Sequence, residues 1–456
     1  MVFNSNVFLL AFLPIVFTAF WLARTKQQRY VILTVSGYVF YGWWDWRFCF
    51  LLLFSSVVSF TAGIMIDRAP SQAQRRAWMI AAVAIDLTLL GFFKYYNFAA
   101  GNLAKLAPGL APPLLHIVLP IGISFYTFHT ISYIVDVTEG RVQATHNVFE
   151  YLAYVSLFSQ LVAGPIIRFR EIEEDLEGID GPPREDHMAR GIAFFVVGLV
   201  KKAVIADSIA SWIDPMLGAY PSLSTAGAWF SALGYALQVY YDFSGYSDMA
   251  VGLGFMFGLR IPQNFNAPYR AVGIGDFWRR WHMSLSSWLR DYVYIPLGGS
   301  RRGEARTYFN LVFTMVLCGL WHGANWTFIV FGAYHGFFLA VGRMARPAFA
   351  LVPDVLKRVV TFLLVVFSFV IFRSSDLSMA ADWGRKMFGI GAGSGVVAPS
   401  LIVWVVVGLV LVNVVPETWH IHFPTRLRWV PVYATSFLIA YLFVNQAQTV
   451  FLYYQF

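Results

Sequence analysis

The sequence predicts an all-α polytopic membrane protein, and three observations carry that prediction. Of 456 residues, 58% are hydrophobic and 13% are charged, with a mean hydropathy of +0.61; a water-facing domain carries roughly a quarter charged residues. The apolar residues form continuous runs on the scale of a bilayer crossing, about 20 residues for a helix. These runs do not alternate polar with apolar, which argues against a transmembrane barrel. The same arithmetic excludes a cytosolic enzyme, a disordered chain and a fibrous repeat.

Taken in chain order, Val7–Leu22 is the first apolar stretch. No positive region precedes it, Arg24, Lys26 and Arg29 follow it, and no small-residue cleavage site is present, so it reads as a retained span rather than a signal peptide. Positive charge behind it places that loop in the cytoplasm and the N-terminus outside. Val31–Ile66 reads as two spans turning at Trp43-Trp44-Asp45-Trp46-Arg47, an interfacial aromatic belt. Further apolar segments run Trp78–Phe93, His116–Val135, Tyr151–Ile167, Ile192–Ile209, Ala226–Leu259, Tyr308–Val341, Val359–Phe372, Val396–Val415 and Trp429–Tyr454. Allowing for their unequal lengths, they amount to roughly ten to twelve spans. With Arg426 and Arg428 on the cytoplasmic side, the C-terminus is expected outside.

Two stretches are too polar to span. Arg168–Arg190 holds Glu171, Glu173, Glu174, Asp175, Glu177 and Asp180 with several arginines, and reads as a solvated loop or surface helix. Gly273–Arg306 is rich in Trp and Arg. No repeat or soluble domain interrupts the chain, so residues 1–456 are expected to form a single integral-membrane domain.

The 33 Lys and Arg against 25 Asp and Glu give a net charge of +8. Without a basic tail or a basic stripe interleaved with stacking aromatics, this points to anionic lipid headgroups and not to nucleic acid. Cys49 and Cys318 lie in apolar runs as small buried side chains, and no metal-ligand spacing is present.

Ionisable groups inside apolar segments are costly, so each raises a question of function. His116, His187, His420 and His422 fall at edges or in loops. His129 has Ser, Thr and Tyr neighbours able to satisfy it. His322 is harder to dismiss, because no acidic residue lies between Glu304 and Asp354 to pair with it. In a regular helix starting near Tyr308 it sits about 21 Å in, beyond the midplane on the side away from the cytoplasm. Gly319 and Gly323 permit close approach, while Asn325 and Trp326 share its face on that geometry. The imidazole can act as a general base toward a hydroxyl, or serve as structural glue between helices. His335, thirteen residues on, points to roughly the opposite face.

The second candidate is Asp276–Tyr292, where Trp278, Trp281, Leu285, Trp288 and Tyr292 form one apolar stripe and Arg279, Arg280 and Arg290 project elsewhere. It reads as an amphipathic helix at the cytoplasmic interface, either a plain anchor or, through His282, part of a site. Ser247 lacks the glycine pattern of a nucleophile elbow, and no phosphate loop or dinucleotide fingerprint occurs. The residues alone fit a membrane enzyme with a histidine base and, equally, a transporter with polar groups along its path.

At Trp278-Arg-Arg-Trp-His282-x-Ser-Leu-Ser and Trp321-His322-Gly-Ala-Asn-Trp326 the chain closely resembles the membrane-bound O-acyltransferase family. Leu119–Tyr126, Ala163–Ile166, Tyr241–Asp248, Asn264–Tyr269 and Phe451–Phe456 add to a likeness that runs essentially end to end and fits best the bacterial branch that O-acetylates alginate. The resemblance implies about eleven spanning helices, with re-entrant and interfacial helices around a tunnel. It makes His322 the intramembrane catalytic histidine and His282 its second, more cytoplasmic partner. Around them Trp278, Arg279, Trp281, Arg290, Asp291, Trp321 and Asn325 become candidate substrate contacts. It implies an acyl thioester donor, acetyl-CoA, with no permanently bound cofactor or metal, and an inner-membrane location in a bacterium. The partner it implies is a periplasmic acetyltransferase with a serine nucleophile that places acetyl on mannuronate hydroxyls. Within the family, O-acetylation of another envelope polymer or D-alanine transfer stays open. Outside it, a polysaccharide or lipid transporter without acyl chemistry is disfavoured by the histidine pair and the missing repeat symmetry.

Overall fold

The computed structural model describes residues 1–424 and 427–444, and every regular element among them is helical. Arg426 and the closing motif Phe451–Phe456 lie outside the described residues. In order the helices are α1 (Leu13–Leu22), α2 (Lys26–Gly42), α3 (Phe48–Arg68), α4 (Gln72–Leu106), α5 (Ile123–Thr138), α6 (Val148–Val155), α7 (Phe169–Glu177), α8 (Glu185–Leu199), α9 (Asp207–Gly218) and α10 (Thr225–Met256). Then come α11 (Ile274–Trp278), α12 (Met283–Leu289), α13 (Glu304–His322), α14 (Trp326–Met344), α15 (Arg346–Ala350), α16 (Asp354–Arg373), α17 (Leu377–Met387), α18 (Pro399–Val414) and α19 (Val430–Val444). Among the described residues α3, α4, α14 and α16 are long and apolar enough to cross a membrane, and Phe8–Leu22, α18 and α19 are shorter apolar helices.

The chain divides into two compact units. The first comprises residues 1–195, 249–262 and 423–427. Its α2 starts at a capping box, Thr25 accepting from the Gln28 amide while the Gln28 side chain returns to the Thr25 backbone. The turn predicted at the tryptophans separates α2 from α3, with Trp43, Trp44 and Trp46 exposed. One face of α3 is small and buried, Ser55, Ser56, Ser59, Ala62 and Gly63, and this admits α4 and α5 at close range. Asp86 of α4 is buried there and accepts from the Ser55 and Thr130 hydroxyls, 2.7 Å each.

Several sequence expectations change in this unit. Arg29, read as a loop charge, lies within α2, is buried, and donates to the carbonyls of Ile179 and Gly181. His116–Val135 is no single span: Gly122 at φ +79° turns the chain before α5 begins. Tyr151–Ile167 is helical only as far as Val155, after which the backbone runs buried and irregular to Arg168. His129 is fully buried, and among the described residues neither ring nitrogen has a hydrogen-bond partner, so its polar neighbours do not satisfy it. The acidic stretch does form a surface helix, α7, with Phe169, Ile172 and Leu176 turned inward.

The second unit comprises residues 196–248, 263–422 and 428–456, and it holds both predicted histidines. Its spine is the α13–α14 hairpin, which replaces the single long run Tyr308–Val341 because Gly323 and the N-cap Asn325 break the helix. The two helices meet on glycines. A Cβ on Gly319 would lie 2.0 Å from the Phe328 carbonyl oxygen, and one on Gly332 would lie 2.2 Å from that of Met315. α16 packs on α14, and α11 reaches both.

Candidate active site

Asp276–Tyr292 is not the continuous amphipathic helix its stripe predicts. α11 stops at Trp278, the chain turns through Arg279–His282, and α12 starts at Met283. His282 sits in the turn at φ +43°, a left-handed conformation that costs a non-glycine residue about 1 kcal/mol or more and so marks a candidate functional position. Four of the stripe's residues, Trp278, Trp281, Leu285 and Trp288, belong to the core, and Tyr292 is half-buried.

The turn leans on a second irregular strip, Asn264–Ala267. Backbone bonds run from Asn266 N–H to the Arg280 carbonyl and from Met283 N–H to the Asn264 carbonyl, 2.9 Å each. The Asn264 side chain is the hub. Its Oδ1 lies 3.1 Å from His282 Nδ1 and accepts from Ser284 Oγ (2.9 Å) and the Ser284 backbone N–H (3.3 Å), while its Nδ2 donates to Ser247 Oγ (3.1 Å). Ala267, also left-handed at φ +45°, donates its N–H to Glu417. Glu417 in turn accepts from Tyr240 and Lys201, and Lys201 also meets Asp248 at 2.8 Å and Thr418. A cavity of about 420 Å³ adjoins this network, lined by Val196, Lys201, Tyr240, Leu411 and Glu417 among others, and neither site histidine lines it.

His282 is fully buried, edge-on to Phe243 with ring centroids 4.7 Å apart, and 5.6 Å from the Trp321 indole. His322, the last residue of α13, lies 4.9 Å from the same indole and is walled by Phe372, Phe331 and Phe328. Two imidazoles from separate elements thus flank one aromatic ring in a largely apolar enclosure. There an unprotonated ring can take a proton without competition from water.

The other predicted site residues divide. Trp321, Trp278 and Trp281 belong to this aromatic cluster; Trp278 packs 5.1 Å from His335 and Trp281 against Phe265 and Phe277. Arg279 and Arg290 are exposed, Arg279 paired with Asp276 at 3.5 Å and Arg290 with Asp291 at 2.7 Å. Asn325 does not share a helix face with His322, because the chain breaks at Gly323; it caps α14 at Thr327 and donates to the Ser375 carbonyl. Trp326 is half exposed. His335, expected on the far face, is buried against Phe331 and Trp278, since the hairpin folds α14 back along α13. Asn264 opens the Asn264–Tyr269 motif but is not among the site residues that the sequence singles out. Phe243 likewise lies inside the Tyr241–Asp248 motif, whereas Phe372, far from both histidines in the chain, carries no local sign.

The family model described as MBOAT, membrane-bound O-acyltransferase family, matches residues 138–380, which include Asn264, His282 and His322. The chain is 46% identical over 398 residues to the probable alginate O-acetylase AlgI of Pseudomonas aeruginosa, covering 86% of this chain and 75% of that one. It is 34% identical over 423 residues to the peptidoglycan O-acetyltransferase of Helicobacter pylori, covering 86% and 80%. With the teichoic acid D-alanyltransferase of Bacillus subtilis it shares 28% over 293 residues, 59% of this chain and 74% of the other. The helical architecture, its apolar spans and these likenesses together place the chain in the membrane-bound O-acyltransferase family.

Proposed function

We propose that this protein passes acetyl groups from a cytoplasmic thioester, acetyl-CoA, through the bacterial inner membrane for the O-acetylation of alginate. The observation that carries the reading is the pair of buried imidazoles on the Trp321 indole, in a chain this similar to the alginate O-acetylase of P. aeruginosa. His322 takes the proton of an accepting hydroxyl, and that oxygen attacks the thioester carbonyl. The new O–C bond forms as the C–S bond breaks, the proton passes to the departing thiolate, and the imidazole is left neutral again. His282 works on the donor side. The phenylalanine and tryptophan walls limit hydrolysis of the thioester by excluding water.

Arg24 and Lys26, which flank the α1–α2 junction, support a periplasmic N-terminus. The acetyl group then reaches a periplasmic acetyltransferase with a serine nucleophile, which delivers it to mannuronate hydroxyls. The test is mass spectrometry of a reaction containing labelled acetyl-CoA, this protein in lipid and the periplasmic partner. Label on the partner's serine or on alginate is expected; label on a different envelope polymer, or none bound or transferred, overturns the assignment.

A further inference from the structure

We infer that Asn264 is a positioning residue that locks His282 into a single tautomer, with Nδ1 protonated and the lone pair on Nε2. The Ser284 backbone N–H donates to the end of the Asn264 side chain that faces His282. A backbone amide cannot accept in return, so that end is the oxygen and not the amine. The oxygen lies 3.1 Å from His282 Nδ1, and an oxygen accepts there only from a protonated nitrogen. The opposite end, Nδ2, donates to Ser247 Oγ at 3.1 Å, as the same orientation requires. A neutral imidazole protonated at Nδ1 is bare at Nε2, and Nε2 is buried without a hydrogen-bond partner among the described residues.

Ser284 Oγ donates to the same oxygen, and the Met283 N–H binds the Asn264 carbonyl, so residue 264 is tied to the start of α12 at three further points. The left-handed backbone at His282 brings the ring back onto that residue. In this tautomer His282 meets the substrates as a hydrogen-bond acceptor, for an O–H or the amide N–H of a thioester's arm. It does not donate to the thioester carbonyl. What Nε2 meets rests on the acyl-transfer reading above; the tautomer does not.

The direct test is nitrogen NMR of the full chain in lipid nanodiscs with ¹⁵N-labelled histidine rings, the His282 signals being found by difference against His282→Gln. A protonated Nδ1 and a bare Nε2 are expected; a protonated Nε2 in the wild-type protein overturns the inference. The second arm compares Asn264→Asp, which keeps the accepting oxygen, with Asn264→Leu, which removes it. The Asp variant should hold the tautomer and transfer acetyl within a few-fold of wild type, and the Leu variant should lose on the order of 10²-fold, the range of a general acid–base contribution. A folded Asp variant as inactive as the Leu variant overturns the inference. If the Leu variant does not fold, the wild-type spectrum and the Asp variant decide. Wild-type protein that shows the expected tautomer but transfers no acetyl refutes the functional reading and leaves the role of Asn264 standing.

Discussion

Gly319→Ala tests how tightly the site depends on the α13–α14 hairpin. The added Cβ would lie 2.0 Å from the Phe328 carbonyl oxygen and 3.0 Å from its carbon, and both are backbone atoms that cannot swing aside. Ordinary contact begins near 3.4 Å, so the helices must part by about 1.4 Å at this point, and displacements near 1 Å in a catalytic constellation cost about 10²-fold. His322 is three residues further along α13, on the same side of the helix, and Phe328 and Phe331 of its wall stand on α14, so the imidazole and its enclosure move apart together. Overpacking of this kind costs roughly 1–3 kcal/mol, enough to lower the melting temperature without abolishing insertion. The assay is acetyl transfer from labelled acetyl-CoA in nanodiscs, beside thermal denaturation of the same preparation. Gly342→Ala is the internal control, because nothing lies within 4 Å of a Cβ there, and it should leave both readouts close to wild type. A Gly319→Ala protein that transfers acetyl at the wild-type rate would refute the coupling between the glycine contact and the site.

His322→Ala should give a folded, membrane-inserted protein with acetyl transfer at background, and undiminished transfer by that variant removes the proposed base. Lys201→Met leaves the carboxylates of Asp248 and Glu417 without their shared cation, a loss of about 3–5 kcal/mol for a broken buried pair. Its melting temperature should fall sharply and be partly restored by adding Glu417→Gln; an unchanged melting curve contradicts the assigned network. Ala267→Gly relieves a left-handed backbone that costs an L-residue about 1–2 kcal/mol, so it should melt at or above the wild-type temperature, and a clear drop would show that the methyl group matters more than the strain.

Membrane class and helical character were legible because burial in lipid and burial in protein both demand apolar side chains, and the composition reports their sum. The same fact hid the interruptions. Pro120 and Gly122 stand in one apolar run, and Gly323 and Asn325 in another, yet hydropathy barely registers them, while the first pair delays the start of α5 and the second separates α13 from α14. The Trp278–Tyr292 stripe misled for a related reason. Its spacing is helical, but the left-handed His282 divides it, and nothing in a 3.6-residue period announces one residue that departs from it. His322 was legible because a polar group is conspicuous in apolar sequence, and His282, in a polar stretch, because it stands in the Trp278-Arg-Arg-Trp-His282 motif that resembles the family's. Asn264 was not, because its importance lies in which atom it presents to a residue 18 positions away.

The two left-handed non-glycine residues among those described, Ala267 and His282, lie at either end of one hydrogen-bonded unit. Strain of this kind persists only where surrounding contacts over-determine it. Here those contacts can be named: Glu417 grips the Ala267 amide, Tyr240 and Lys201 fix Glu417, and Asn264 grips the His282 ring and the first turn of α12. The buried ion network and the aromatic enclosure are therefore parts of one mechanical arrangement. Glu417 in the first holds the backbone at Ala267, and three residues earlier in the same strip the Asn264 side chain sets the position and the protonated nitrogen of the imidazole in the second. This explains why costly buried charges stand beside a site whose chemistry needs an apolar wall: they supply the rigidity that an aromatic cage cannot give to a single ring.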